Sequence, residues 1–388
     1  MAHSEEYQKL EGRIFTKSFF ILLAVVLVGF FFVGVRFVKG IGAVSNMSDG
    51  YPWGIWITYD VATGTAIACG GYAVAILVYI RNRMQYHPLI RSAILTSMFG
   101  YGLAGFSVMV DLGRPWNIIQ AIFNYGTASV LFEVAWCVML YTSVLLLEFT
   151  VPLFEWLGWT RIQAALKKTL IALTVLSVIF STMHQSALGS LFLLMPTKLH
   201  PLWYTPYIFI FFFISAIVAG ICMVVVESSL SHRIFASQVK DHPVDVDKLT
   251  IGLGRAGALV MFAYFFLKLQ GVIDGHAWGY LATGYGAWFL VEILGFVLLP
   301  SLLFAYGSRN GKVRIVRVAG VIGVLGIVLN RANVSMIALN WNQPIRYVPS
   351  WMEIWVSVTL VTLGVLAFRW VVNRMPILRE DPRFVEGH

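Results

Sequence analysis

The chain has 388 residues, of which 59% are apolar and only 12% charged, with a mean hydropathy of +0.78 and a formal net charge of +9. A soluble protein carries about 25% charged residues, so a soluble globular enzyme, a disordered chain and a nucleic-acid-binding domain are all excluded. In so apolar a chain the positive balance bears on which way a membrane protein faces.

Residues 1–17 form a polar, charged head. A helix that crosses a bilayer needs about 20 mostly apolar residues. The sequence predicts ten, at 18–38, 54–80, 91–112, 127–148, 169–191, 206–229, 251–270, 281–306, 314–337 and 350–373, followed by a tail over 374–388. The first is too long and too late for a signal peptide and reads as a retained anchor. The longest polar insert is 231–249. The expected fold is therefore an all-α integral membrane protein, a single membrane domain over 1–388 with two packed bundles and flanking helices. A repeat of spans two to five in spans six to nine is conceivable, but no strong internal sequence match supports it.

Charge sets the expected direction. Lys9, Arg13 and Lys17, the turn with Arg81, Arg83 and Arg91, the loop with Arg161, Lys167 and Lys168, and Arg233, Lys240 and Lys248 share one side. Arg309, Lys312, Arg314 and Arg317 and the tail arginines join them. The other side holds Arg36, Lys39, Arg114, Lys198 and Arg346. The positive-inside rule then makes both termini cytoplasmic and the membrane the inner, cytoplasmic one.

Charges inside a span are expensive and mark candidate functional positions. Arg36, Arg255, Lys268 and Arg369 lie near span ends, where long stems snorkel to water. Asp60, Glu133 and His184 instead fall roughly 10 Å below the outer surface, at 1.5 Å per residue. Asp111 and Arg114 close the third span with a spacing that allows an ion pair. An acid, a second acid, a histidine and this pair thus share a depth on four consecutive helices. Bland readings stand beside this one: the pair can lock a helix end, and His184 can be a satisfied core histidine. Glu227 lies near the inner end of span six, and Glu292 and Arg331 form a candidate pair in the second half. Trp53, Trp56, Trp116, Trp203 and Trp351 suit an aromatic belt at the outer interface.

Cys69, Cys137 and Cys222 stand alone, with no CxxC or CxxCH, so the chain offers no cysteine set for an iron–sulfur cluster, c-type haem or zinc. A b-type haem needs paired axial histidines, and only His184 lies deep in a span. A quinone site asks for less: an apolar slot, a polar group for each carbonyl, and a carboxylate or histidine to move protons. A chain without its own redox centre would exchange those electrons with a partner docked on the outer face.

Six segments carry a family resemblance: GYPWGIWITYDVATGTAIACGGYA (50–73), YHPLIRSAILTSMFGYGLAGFSVMVDLGRPWN (86–117), SVLFE (129–133), TMHQSALGSL (182–191), HPLW (200–203) and PSWMEIW (349–355). Over roughly residues 10–375 the chain resembles the NrfD/PsrC, polysulfide-reductase-type membrane subunits. Within them it is most similar to the ten-helix branch that serves menaquinone-reducing [NiFe] hydrogenases. The resemblance implies a subunit that exchanges electrons and protons with menaquinone and lacks haem and clusters. It implies a ferredoxin-like iron–sulfur subunit on the outer face and a catalytic module behind it, here a [NiFe] hydrogenase. It implies a quinone pocket lined by Asp60, Tyr101, Asp111, Arg114 and His184, with Glu133 on a proton route. Glu227 is the expected inward continuation of that route. Other readings stay open at this stage: a secondary transporter centred on Glu292 and Arg331, a haem-bearing cytochrome b, a structural anchor, or the membrane subunit of another reductase or multihaem cytochrome complex.

Overall fold

The computed structural model describes residues 13–51, 53–124, 126–236 and 245–378. Most of the N-terminal head, Lys240 in the polar insert, and the tail arginines Arg379 and Arg383 lie outside the described residues. The described residues are helical, with no strand among them. Ten helices are long and apolar enough to span a bilayer: α1 (Lys17–Lys39), α2 (Trp56–Ile80), α3 (Met84–Asp111), α4 (Val130–Trp156), α5 (Leu170–Leu194), α6 (Ile208–Ile234), α7 (Val246–Asp274), α8 (Gly284–Arg309), α9 (Val313–Asn340) and α10 (Trp351–Arg374). In a hydrocarbon medium every backbone N–H and C=O must be satisfied within the segment, which leaves the helix as the only form open to these apolar runs.

The helices sort into two groups. In the first, α2 packs on α3, α3 on α4, and α4 on α5. In the second, α6 packs on α7 and α9, and α8 lies between α7 and α9. The pair α1 and α10 flanks the first group and touches α3. The most buried helix is α2, which joins the groups by packing on α6 as well. Their crossing is close because Gly70 faces Gly220: a Cβ on Gly220 would lie 2.8 Å from the Cys69 backbone. Small residues allow such approach where no hydrophobic effect drives helices together.

We call the side where α1 starts and α10 ends the terminal face, and the opposite side the far face. Among the described residues four stretches wind as π-helix: Trp56–Val61, Ile76–Ile80, Val291–Leu298 and Asn333–Ile337. Three of them carry a buried polar side chain, namely Asp60, Glu292 and Asn333. Wide turns of this kind recur at functional positions.

The aromatic belt is only partly realised. Trp116 and Trp351 are exposed. Trp56 and Trp203 are core residues whose ring N–H groups donate to Glu353 O at 3.2 Å and Glu292 Oε2 at 2.7 Å.

Candidate functional site

Asp60 leaves α2 on its π-turn and is buried against two other helices. Its Oδ2 accepts from Ser107 of α3 at 3.0 Å and from Ser357 of α10 at 2.8 Å. It also borders a cavity of about 1040 Å³ lined by α2, α3, α6, α10 and, at its other end, Arg13, Thr16, Ser18 and Leu22 at the start of α1. The α10 wall runs from Leu360 to Asn373, which at 1.5 Å per residue is roughly 20 Å. Asp60 marks the end nearer the far face. Glu227, Ser231 and Arg369 mark the end nearer the terminal face. Glu227 Oε1 accepts from Ser231 at 2.7 Å, while its buried Oε2 has no hydrogen-bond partner.

Next to the cavity-lining Gly100, Tyr101 turns into the first helix group. Its hydroxyl shares a 3.1 Å hydrogen bond with His184 Nδ1, and both residues are fully buried. Gln185 Nε2 approaches the same nitrogen at 3.5 Å and donates to Thr65 Oγ1 at 3.1 Å. The tautomer of His184 sets which partner donates in these contacts, and its other ring nitrogen is Nε2. That Nε2 is buried without a partner. A buried polar group left unpaired costs about 1–3 kcal/mol and calls for a reason.

The remaining expected residues are placed otherwise. Helix α3 stops at Asp111, and Leu112 is extended at ψ 123°. Arg114 is therefore off the helix and exposed. No ion pair joins it to Asp111 among the described residues. The cation beside Asp111 is Arg36, fully buried at the end of α1. Arg36 donates from Nε to Val110 O at 2.5 Å and from its guanidinium to Leu112 O, closing the carbonyl end of α3. Glu133 is not deep. Helix α4 begins at Val130, capped by Ser129, whose hydroxyl accepts from Phe132 N–H at 3.4 Å. Glu133 thus occupies the first turn and is exposed, where an acid complements the helix dipole.

Burial also corrects the second half. Lys268 does not snorkel: its Nζ lies 3.3 Å from Glu292 Oε1, with both side chains buried. Glu292 accepts from Asn330 at 2.6 Å on Oε1, and from Trp203 at 2.7 Å and Asn333 at 2.6 Å on Oε2. Arg331 does not pair with it but donates to Asn330 Oδ1, Phe212 O and Ser215 Oγ, with its guanidinium 3.7 Å from the Phe212 ring centre. Each Glu292 oxygen already has two partners, which suits an interhelical lock better than a substrate site.

Glu148 and Glu155 of α4 are two buried acids that sequence reasoning passed over. Glu155 is held by Arg91 at 2.6 Å and by Gln163 at 3.1 Å. In the loop before α6, His200 is buried among Trp203, Tyr280, Tyr285 and Trp341, with ring centres 4.7–5.4 Å away. Its Nδ1 accepts from Leu202 N–H at 3.2 Å, and burial lowers its pKa to about 4.

Residues 43–340 match the family described as polysulphide reductase, NrfD. A protein of Nitratidesulfovibrio vulgaris is 44% identical over 95% of this chain and 96% of its own. The probable Ni/Fe-hydrogenase 2 b-type cytochrome subunit of Escherichia coli is 33% identical over 97% of this chain and 96% of its own. The integral membrane subunit of a menaquinone reductase from Nitratidesulfovibrio vulgaris is 23% identical over 88% of this chain and 87% of its own.

Proposed function

Because the chain belongs to the NrfD polysulphide reductase family, we propose that this multi-pass membrane protein is the quinone-exchanging subunit of a respiratory oxidoreductase complex. Electrons pass between menaquinone and a ferredoxin-like iron–sulfur subunit docked on the far face. Behind that subunit stands a catalytic module, in our reading a [NiFe] hydrogenase. The names of two relatives support this: one is a hydrogenase subunit and the other a menaquinone reductase subunit. The charge bias supports a cytoplasmic terminal face and a periplasmic far face in the inner membrane.

The observation that carries the reading is the Asp60 carboxylate bordering a large, mostly apolar cavity. Reduction of a quinone takes two electrons and two protons. Asp60 is placed to bind the head group and pass it a proton, with Ser107 and Ser357 fixing the carboxylate. The Tyr101–His184 pair, behind the same stretch of α3, is the proton reserve. Arg36 and Asp111 hold the far-face end of α3, and exposed Arg114 suits contact with the partner. Exposed Glu133 exchanges protons at the far face, and Glu227 does so at the other end of the cavity.

Among the described residues, the two span histidines with unpartnered buried nitrogens, His184 at Nε2 and His232 at Nε2, are not placed to share a haem. One lies ten residues from the far end of α5 and the other 24 from the far end of α6, roughly 20 Å apart along the membrane normal. Purification in mild detergent, with mass-spectrometric identification of stoichiometric companions, tests the whole reading. A ferredoxin-like subunit with a hydrogenase or other reductase is the expected result. A chain that emerges alone and moves protons or ions without a redox partner would overturn it in favour of a transporter.

A further inference from the structure

At its terminal-face end the cavity is built from the last turns of α6 and α10 and the residues that start α1. Two cations line it there, Arg13 and Arg369. Arg369 is anchored by donating to Thr16 Oγ1 at 2.8 Å and to Ser18 Oγ at 3.0 Å. The first turn of α1 holds no acidic residue, so the positive end of its helix dipole is uncompensated at the same place. The α6 wall carries one carboxylate, Glu227. It is 7% exposed, and its Oε2 has no hydrogen-bond partner. Among the described residues no ion pair joins Glu227 to either arginine. Glu227 lies seven residues from the end of α6 and Arg369 five from the end of α10, roughly 10 and 8 Å at 1.5 Å per residue. Acid and cation thus sit at a similar depth on two walls of one cavity. Beyond them, towards Asp60, the walls turn apolar with Leu103, Met223, Val226, Leu360 and Val365.

An occupant of this end must bring a negative group to the arginines, a hydrogen-bond donor to Glu227 and an apolar chain to the walls beyond. Free phosphate brings only the first. Phosphatidylglycerol sets a net negative charge beside a buried carboxylate. Phosphatidylcholine has the right charges but no N–H to donate, so the buried Oε2 would stay unpaired, which is costly. We propose that the terminal end of the cavity binds phosphatidylethanolamine, with its phosphate on Arg13 and Arg369, its ammonium on Glu227 and one acyl chain along the apolar middle. Basic pockets between spans near a cytoplasmic face are suited to lipid head groups. A primary ammonium carries exchangeable protons, so its place on Glu227 is compatible with the proton exchange proposed at this end. The site is separate from the head-group contact at Asp60 and does not depend on it.

The test uses the complete complex, purified with its companion subunits and delipidated in detergent. Phosphatidylethanolamine and phosphatidylcholine with identical acyl chains are titrated onto it, and bound lipid is counted by native mass spectrometry. The wild type is expected to bind phosphatidylethanolamine at least tenfold more tightly. Glu227→Gln keeps the side-chain shape and is expected to abolish that preference while leaving phosphatidylcholine binding as it was. Arg369→Met is expected to weaken both lipids by a similar factor. The control is Gly102→Leu, at an exposed α3 glycine outside the cavity lining with nothing within 4 Å of its Cβ, and it should match the wild type. Equal binding of the two lipids in the wild type, or a preference that survives Glu227→Gln, overturns the inference. Unchanged affinity in Arg369→Met removes the phosphate contact and the site with it. Tighter binding of phosphatidylglycerol, or one-for-one displacement of bound phosphatidylethanolamine by menaquinone, also overturns it. Asp60→Asn should leave the lipid preference untouched, so the lipid site and the quinone reading fail separately.

Discussion

Replacing Lys268 by methionine removes the charge that faces Glu292 while keeping most of the side-chain volume. The pair is separated by 3.3 Å and both side chains are almost fully buried. At an effective dielectric of about 20, two unit charges at that distance attract by about 5 kcal/mol. Breaking one partner of a buried pair costs about 3–5 kcal/mol, because the other charge is left uncompensated. Three donors, from Trp203, Asn330 and Asn333, remain on Glu292. Lys268→Met should therefore lose about 3–5 kcal/mol of unfolding free energy. Glu292→Gln should lose a comparable amount by stranding Lys268. The double variant should lose clearly less than the sum, because neither charge is left alone. Unfolding in mixed micelles titrated with sodium dodecyl sulfate, followed by tryptophan fluorescence, measures all three. Single losses below about 1 kcal/mol that add in the double variant would refute an ion-pair lock between α7 and α8.

Four further outcomes are expected. His200 has a pKa of about 4 when folded, against about 6.5 when unfolded. Its contribution to stability is therefore full above about pH 6.5 and is lost as pH falls towards 4; thermal unfolding of His200→Gln should show a flatter acid limb than wild type. Arg36→Met frees the carbonyls of Val110 and Leu112 and should cost about 1–3 kcal/mol, with faster hydrogen exchange confined to the Val108–Arg114 turn; exchange spread over all of α3 would mean a wider role. Glu133→Gln should leave the complex assembled and slow quinone-linked turnover, whereas wild-type turnover would remove Glu133 from the mechanism. A dithionite-reduced visible spectrum of the isolated chain should lack a haem α-band, and a stoichiometric band would contradict the histidine geometry.

The ten spans were legible because each is a long, mostly apolar run with few charges inside it. Their ends were less so. Helix α4 continues to Trp156 through Glu148 and Glu155, acids that serine, arginine and glutamine neighbours make tolerable. Residue types were legible but their placement was not: Tyr101 and His184 meet each other but do not line the cavity that Asp60 borders, and Glu133 lies exposed in the first turn of its helix. What spacing cannot convey is how a helix is rotated and where it ends. Asp60 meets Ser357 across 297 positions of sequence, and Arg36 meets Val110 across 74. The Asp111–Arg114 spacing suited a helix that in fact stops at Asp111. Lys268 lies six residues from the end of α7 and looked able to reach water, but Glu292 on the neighbouring helix holds it inside. No pattern along α7 alone announces that partner.

A photoreactive menaquinone analogue with its label on the head ring, crosslinked in native membranes and mapped by peptide mass spectrometry, tests the central claim most directly. Labelling should fall on the α2 and α3 segments that border the Asp60 end of the cavity, Tyr59 to Gly64 and Gly100 to Leu103, and should be lost in Asp60→Asn. Labelling that concentrates on α7 to α9 and persists in Asp60→Asn would contradict the account.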